Sequence, residues 1–352
     1  MPATIVETNT KKFKRKDIDP ITLDIIENAM MNARYEMDAV VFRTAMSPGI
    51  REQNDMFPMI ANLEGKMVVG QFGSFIHGFK EAYDGTIEEG DLFLTTDPYA
   101  CNGAISHIND WLLLRPIFKD GRLIAYAAMF GHMTDVGGKV PGSLPTDARE
   151  IFEEGIRVPP LKIFKNDELQ SDVLNLILHN SRMPTWNRSD FNALVAAMRT
   201  AEKRVIEMAE RFGDDEYYSA LDELLARNKR AMARLIKDTV PTKKQPFEDY
   251  ICDDGLGMGP YRIKCSMWRD KDKVIFDFDG TLADSLTWFR TVLADLVDKH
   301  GLPPIDDARA EELRGLTPKQ IMGELDIPAW KVPFLAADVR ARAAENVDKI
   351  HL

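Results

Sequence analysis

The sequence predicts an α+β fold, with β-hairpins set among long helices and a mainly helical segment at the C-terminal end. Three observations carry that expectation. Residues 111–118 and 123–130 are apolar runs joined by Lys119-Asp120-Gly121, and Asp-Gly between two strand-like runs is a strong hairpin signal. Residues 20–45, 189–212 and 215–238 repeat apolar side chains at helical spacing. Residues 284–300 and 306–349 read as helical again, after a strand that opens at Lys273.

Taken in order, residues 1–18 read as a flexible arm whose basic cluster Lys11-Lys12-Phe13-Lys14-Arg15-Lys16 is solvated. Asp19 then caps a helix with Pro20 at its first position. Leu23, Ile26, Met30, Ala33, Met37, Val40 and Val41 give that helix its apolar face. Arg51, Glu52 and Asp55 beyond it read as a polar loop. Residues 57–61 and 66–69 make a short hairpin around Leu63-Glu64-Gly65. His77, between Ile76 and Gly78, reads as a structural histidine rather than a ligand. A strand over 91–96 delivers Asp97-Pro98-Tyr99, where Asp97 is either a ligand or the cap of the following turn.

Residues 145–154 suggest a short acidic helix, and Arg157-Val158-Pro159-Pro160 an extended stretch. Residues 167–180 read as a helix with Leu169, Val173, Leu174, Leu176 and Ile177 inward. Two long helices follow, the first carrying Phe191, Leu194, Met198, Val205 and Met208 and ending at Gly213. The second carries Leu221, Leu224, Leu225, Met232 and Leu235. Together they form a helical hairpin that suits an interaction surface. The chain then returns to β, with Tyr261 to Met267 alternating as a strand. Gly255-x-Gly257-x-Gly259-Pro260 precedes no helix and is not a dinucleotide fingerprint.

Composition narrows the function. The net charge of −11 over 352 residues disfavours a nucleic-acid partner. No apolar run is long enough to span a membrane, and no signal-peptide core opens the chain, so a cytoplasmic protein is expected. Cys101, Cys252 and Cys265 lack metal or redox spacing and read as free thiols.

The chemistry concentrates where the central hairpin opens. His107-x-x-Asp110 precedes the first strand and His132-x-x-Asp135 follows the second, so a hairpin returns two imidazoles and two carboxylates to one place. That donor set suits Mn²⁺, Fe²⁺ or Zn²⁺. Each pair alone could equally be an ordinary surface or capping arrangement.

Asp97-Pro98-Tyr99, His107-x-x-Asp110, His132-x-x-Asp135-Val136-Gly137-Gly138 and Pro141-Gly142-Ser143 together resemble the hydantoinase B/oxoprolinase family, which includes acetone carboxylase subunits. Thr96, Ala104-Ile105-Ser106 and Met133 depart from the family pattern, Met133 replacing the second of two adjacent histidines. Asn180-Ser181-Arg182-Met183-Pro184 resembles a further family element. The resemblance implies a metal held by His107, Asp110, His132 and Asp135. It leaves Arg182 either to bind an anionic substrate group or to tie down a loop. It also implies a hetero-oligomer with a hydantoinase A-type ATPase subunit. A small-molecule substrate, either a cyclic amide or a ketone, would be hydrolysed or carboxylated.

A second resemblance begins at Lys273. Phe276-Asp277-Phe278-Asp279-Gly280-Thr281 is similar to the first motif of the haloacid dehalogenase superfamily. It implies Asp277 as phosphoryl-accepting nucleophile, Asp279 as general acid/base, and Mg²⁺ as cofactor. The later motifs of that superfamily do not follow, so this part is expected to be inactive as a phosphatase. The domain reading is therefore an arm at 1–18, a C-terminally shortened hydantoinase B-like domain at 19–272, and a haloacid dehalogenase-like fragment at 273–352. An inactive fusion remnant that keeps only an interaction surface is the third reading.

Overall fold

A computed structural model of the chain describes residues 3–9, 11–71, 75–101, 103–257 and 260–278, with single positions at 299 and 324. The chain divides into two compact units, one of residues 1–240 and 252–260, the other of residues 241–251 and 261–352.

In the first unit, β1 (Thr4–Ile5) leads to α1 (Pro20–Thr44) and α2 (Pro48–Gln53). Then come β2 (Met56–Ala61), β3 (Met67–Val69), α3 (Phe75–Ala82), β4 (Thr86–Ile87) and β5 (Leu92–Thr95). The central hairpin is β6 (Asp110–Lys119) and β7 (Arg122–His132). A single 3₁₀ turn at Ile151–Glu153 stands where an acidic helix was expected. β8 (Leu161–Lys165), β9 (Glu168–Leu169), α4 (Ser171–His179), α5 (Pro184–Phe212) and α6 (Asp214–Thr239) complete the unit.

Seven strands form one sheet in the order β3-β2-β7-β6-β5-β8-β9, with every neighbour antiparallel. Both faces of its centre are covered, which is why β6 and β7 read as continuous apolar runs rather than alternating ones. Trp111, Leu113, Ile117, Ala127 and Met129 pack into a core shared with α1, α5 and α6. Leu112, Leu114, Phe118, Ala128 and Phe130 point the other way, onto Phe75, Ile76 and Phe79 of α3.

The hairpin turns as its sequence demands. Asp120 and Gly121 both have positive φ (52° and 72°), the backbone of a two-residue turn whose twist matches the strands. One residue later the register slips: Phe118 faces Leu123, but Ile117 faces Ala125. This bulge carries through to the open end and sets Asp110 opposite His132.

The helices follow their periodicity. Asp19 caps α1 through the backbone N–H groups of Ile21 and Thr22. Leu23, Ile26, Met30, Ala33, Met37 and Val41 are buried against the core. α5 begins five residues before the expected 189, because Pro184 opens it. In α4, Leu174 and Ile177 are buried but Leu176 is 64 % exposed, since it falls on the outer face. In α6, Leu221 and Leu224 are buried, whereas Met232 and Leu235 are exposed.

The N-terminal arm, expected to be flexible, is docked. Thr4–Ile5 pairs in parallel with Thr86–Ile87. Leu123 N–H donates to Glu7, and the Arg122 guanidinium donates to the Lys11 carbonyl and stacks over Phe13. Phe13 stacks on Tyr218, while Arg15 and Lys16 pair with Asp222 and Glu216. The basic cluster is thus matched to the acidic start of α6, a long-range complementarity that local sequence does not disclose.

In the second unit, β10 (Gln245–Ile251), β11 (Tyr261–Asp270) and β12 (Lys273–Phe278) make an antiparallel sheet in that order. Strand β12, which carries the haloacid dehalogenase-like motif, pairs antiparallel with β11, with Asp277 opposite Ser266. The expected helical stretches 284–300 and 306–349 lie outside the described residues apart from positions 299 and 324.

Candidate metal centre

The open end of the hairpin brings three of the four expected donors together. Ligand-capable atoms of His107, Asp110 and His132 all lie within 4.8 Å of one another. Asp110 and His132 are cross-strand partners, and their side chains continue the sheet face that carries Leu112, Leu114, Ala128 and Phe130. His107 stands one turn earlier, with its carbonyl accepting the Asp110 N–H. The imidazoles meet edge to face with ring centroids 5.0 Å apart.

The closest approaches are His132 Nδ1 to Asp110 Oδ1 at 3.3 Å and His107 Nε2 to Asp110 Oδ2 at 3.5 Å. Yet His107 Nδ1, His132 Nδ1 and Asp110 Oδ1 are buried without a hydrogen-bond partner. Orphaned buried polar atoms are costly. Of these, His132 Nδ1 and Asp110 Oδ1 face each other, and with His107 Nε2 beside the same carboxylate they fit a cation that takes their lone pairs. Two imidazoles and a carboxylate match Mn²⁺, Fe²⁺ or Zn²⁺ better than Mg²⁺, and leave coordination positions open.

A further carboxylate stands at the same point. Asp55, just before β2, lies 3.5 Å from His132 Nδ1, and its carbonyl accepts the His132 N–H. Asp55 reads in sequence as part of a polar loop, which the family resemblance implies lies near the active region. Its position depends on the turn that closes α2, where Asn54 adopts a left-handed φ of 55°. Beneath the ring, Gly49 of α2 approaches so closely that a Cβ would stand 3.2 Å from His132 Cδ2. The only sequence signal for that approach is a glycine directly after Pro48.

Asp135 is not part of this cluster. One carboxylate oxygen accepts the N–H groups of Gly137 and Arg182, and the other accepts Gly142 N–H and the Arg182 guanidinium. Burial pushes its pKa up, but the backbone N–H donors of Arg182, Gly142 and Gly137 and the hydrogen bond from the Arg182 guanidinium outweigh this and hold the carboxyl below its usual range. With its lone pairs committed, Asp135 organises the loop instead of ligating.

Arg182 is spent on that same loop. Besides Asp135 it donates to the carbonyls of Gly137, Gly138 and Val140. Of the two roles open for it in sequence, the loop tie is the one its contacts fill. Gly138 lets the clamp close, because at its φ of 75° a Cβ would stand 2.3 Å from the Glu153 carbonyl oxygen.

Asp97 is likewise engaged. It accepts the N–H groups of Tyr99 and Ala100 and a two-nitrogen contact from Arg157, at 2.7 and 3.1 Å. It caps the turn and is not a free ligand. Met133, at the position where the family pattern has a second histidine, is fully buried in the core. His77 is exposed and faces Glu81.

In the second unit, Asp277 bonds to Lys244, the residue just before β10, at 2.5 Å, so the carboxylate expected as phosphatase nucleophile is paired with a lysine. Asp279, its expected acid/base partner, lies outside the described residues.

Residues 19–295 match the hydantoinase B/oxoprolinase family model. The chain belongs to the hydantoinase B/oxoprolinase family. Among its relatives is the caprolactamase β subunit of Pseudomonas jessenii, 32 % identical over 255 residues, which cover 70 % of this chain and 43 % of that one. The acetophenone carboxylase δ subunit of Aromatoleum aromaticum is 28 % identical over 257 residues, covering 70 % and 36 % respectively. The crystal structure of the ATP-dependent caprolactamase from Pseudomonas jessenii superposes with a TM-score of 0.68 at 28 % identity, over 75 % of this chain and 46 % of that one. This hydantoinase B-type chain spans less than half the length of the two relatives named. Residues 274–351 match the haloacid dehalogenase-like hydrolase family model, overlapping the first match from 274 to 295. Among the described residues no helix is long and apolar enough to cross a membrane.

Proposed function

We propose that this chain is a metal-dependent subunit of an ATP-dependent amidohydrolase that opens cyclic amides, working with a separate ATP-hydrolysing subunit of the hydantoinase A type. The observation that carries the reading is the convergence of His107, Asp110 and His132, with the facing atoms His132 Nδ1 and Asp110 Oδ1 buried and unpartnered. These three residues would hold a Mn²⁺, Fe²⁺ or Zn²⁺ ion, with Asp55 within reach as a fourth donor. Such an ion supplies Lewis acidity toward a substrate carbonyl or a water.

The 135–143 loop, clamped by Arg182, fixes the backbone immediately after His132. The ATPase partner is supported by the ATP dependence of the caprolactamase from Pseudomonas jessenii. No phosphate-binding loop occurs in the sequence. Carboxylation of a ketone is the second reading, favoured by the acetophenone carboxylase relative.

The test is reconstitution of the full chain with a hydantoinase A-type subunit, ATP, and Mn²⁺, Fe²⁺ or Zn²⁺. ATP- and metal-dependent ring opening of a lactam, hydantoin or 5-oxoproline is the expected result. ATP-dependent fixation of bicarbonate onto a ketone would select the carboxylase reading. Absence of both, in a complex that retains metal, would refute the catalytic assignment.

A further inference from the structure

We propose that Asp190 is a positioning residue for the metal centre, acting through Ser47 on both His132 and the α2 turn that presents Asp55. The inference rests on the metal reading above and adds a residue that touches none of the proposed ligands.

Asp190 lies in the second turn of α5 and is fully buried. Among the described residues no lysine, arginine or histidine pairs with it. A buried carboxylate with no cation is an expensive group to keep, because burial disfavours the charge unless hydrogen bonds replace its water. Those bonds are present, and all go to one place. Asp190 accepts the Met46 N–H at 2.5 Å, the Ser47 N–H at 3.3 Å and the Ser47 hydroxyl. An amide in its place would accept through one oxygen only, whereas the donors on these two successive residues engage both carboxylate oxygens.

The direction of the Ser47 proton makes this a relay. Its hydroxyl donates to Asp190, so its oxygen lone pair is free to accept, and it accepts the Thr134 N–H at 3.1 Å. Ser47 occupies the N-cap position of α2 yet makes no capping bond there. Its side chain is diverted from the ordinary use of a serine at that position toward the strand end that carries His132. From Ser47 the chain runs into α2, placing Gly49 against the His132 ring, and out through Asn54 to Asp55.

One carboxylate thus pins the two segments that deliver His132 and Asp55. Asn187, one turn earlier on α5 and also fully buried, donates to the Asp135 carbonyl and extends the same grip. Groups that orient metal ligands from behind typically change metal affinity about 10- to 100-fold when removed.

The test uses the full-length chain with Co²⁺ and Zn²⁺, comparing wild type, Asp190→Asn and Ser47→Ala. Affinity is read by competition with a chromophoric chelator, and coordination geometry by the visible spectrum of the Co²⁺ form. The apo-protein melting temperature is measured in parallel. The expected result is a loss of affinity of about 10-fold or more in both variants, with altered Co²⁺ bands. A purely structural role would lower the melting temperature and leave the bands unchanged. Wild-type affinity and wild-type bands in both variants would overturn the proposal. If Asp190→Asn fails to fold, Ser47→Ala decides alone, since it keeps the carboxylate and breaks only the relay. A wild-type chain that binds neither metal would overturn the metal reading itself, and so is distinguishable from failure of the relay.

Discussion

Replacing Arg182 by alanine should unclamp the loop that follows His132, and the size of the effect can be worked from its contacts. Asp135 is 2 % exposed and takes four hydrogen bonds, one of them from the guanidinium at 3.0 Å. A hydrogen bond to a buried charge contributes about 1.5–3 kcal/mol. Three backbone N–H donors remain in the variant, so the carboxylate is not stranded. The arginine side chain is 41 % exposed, which discounts its ionic share through solvent screening. Of the three carbonyls it releases, Gly137 keeps the Ser143 hydroxyl, and the contacts to Gly138 and Val140 are exposed, so water replaces them at small net cost. The sum is a destabilisation of about 1–2 kcal/mol, or a fall of roughly 2–8 °C in Tm for a unit of this size. Arg182→Lys should recover less than half, because an ammonium cannot span Asp135 and three carbonyls as a planar fork does. Differential scanning calorimetry of Arg182→Ala, Asp135→Asn and the double variant is the assay. Non-additivity of at least about 0.5 kcal/mol is expected for contacting groups. A melting temperature unchanged in Arg182→Ala, with weaker substrate binding as its only defect, would refute the loop-clamp role and restore the substrate-binding one.

Three other outcomes follow from the same geometry. Gly49→Val should crowd His132 and weaken Zn²⁺ binding at least about 10-fold, measured by chelator competition, while the far-UV circular dichroism spectrum stays that of wild type. Because the folded pKa of Asp135 is held below its ordinary 3.8, its stabilising contribution is complete above that pH and is lost as pH falls through the lower folded value. Acid titration of wild type against Asp135→Asn should therefore show the stability difference shrinking below about pH 4 and staying constant above it. Phosphate release from phosphoglycolate or a chromogenic phosphate ester should be absent, since Asp277 is paired with Lys244 in an antiparallel strand. Turnover that Asp277→Asn abolishes would contradict this.

Much of the architecture was legible because it is encoded locally. The Asp120-Gly121 turn, the Asp19-Pro20 helix start and the apolar spacing of α1, α5 and α6 each fix backbone geometry within a few residues. His107, Asp110 and His132 could be grouped because the hairpin between them was legible. What stayed hidden depends on contacts between distant segments. The bulge near Ile117 decides that Asp110 faces His132, yet no residue type announces it. Asp135 has the same spacing from His132 as Asp110 from His107. The Gly137-Gly138 turn and Arg182 nevertheless capture it, and only the folded loop shows that its lone pairs are filled. Asp55 is the converse, a residue of plain loop composition brought to the centre by α2. Strand β12 carries a motif that resembles another superfamily, but its pairing with β11 is set by the strands before it.

The most direct test of the account is the metal content of the purified full-length chain, measured by inductively coupled plasma mass spectrometry beside a His107→Ala/His132→Ala variant. The account predicts about one transition-metal ion per chain in the wild type and near none in the variant, with Asp135→Asn retaining its ion. A wild-type chain that holds no metal after reconstitution with Mn²⁺, Fe²⁺ and Zn²⁺, or a double variant that keeps it, would contradict the assignment of this site.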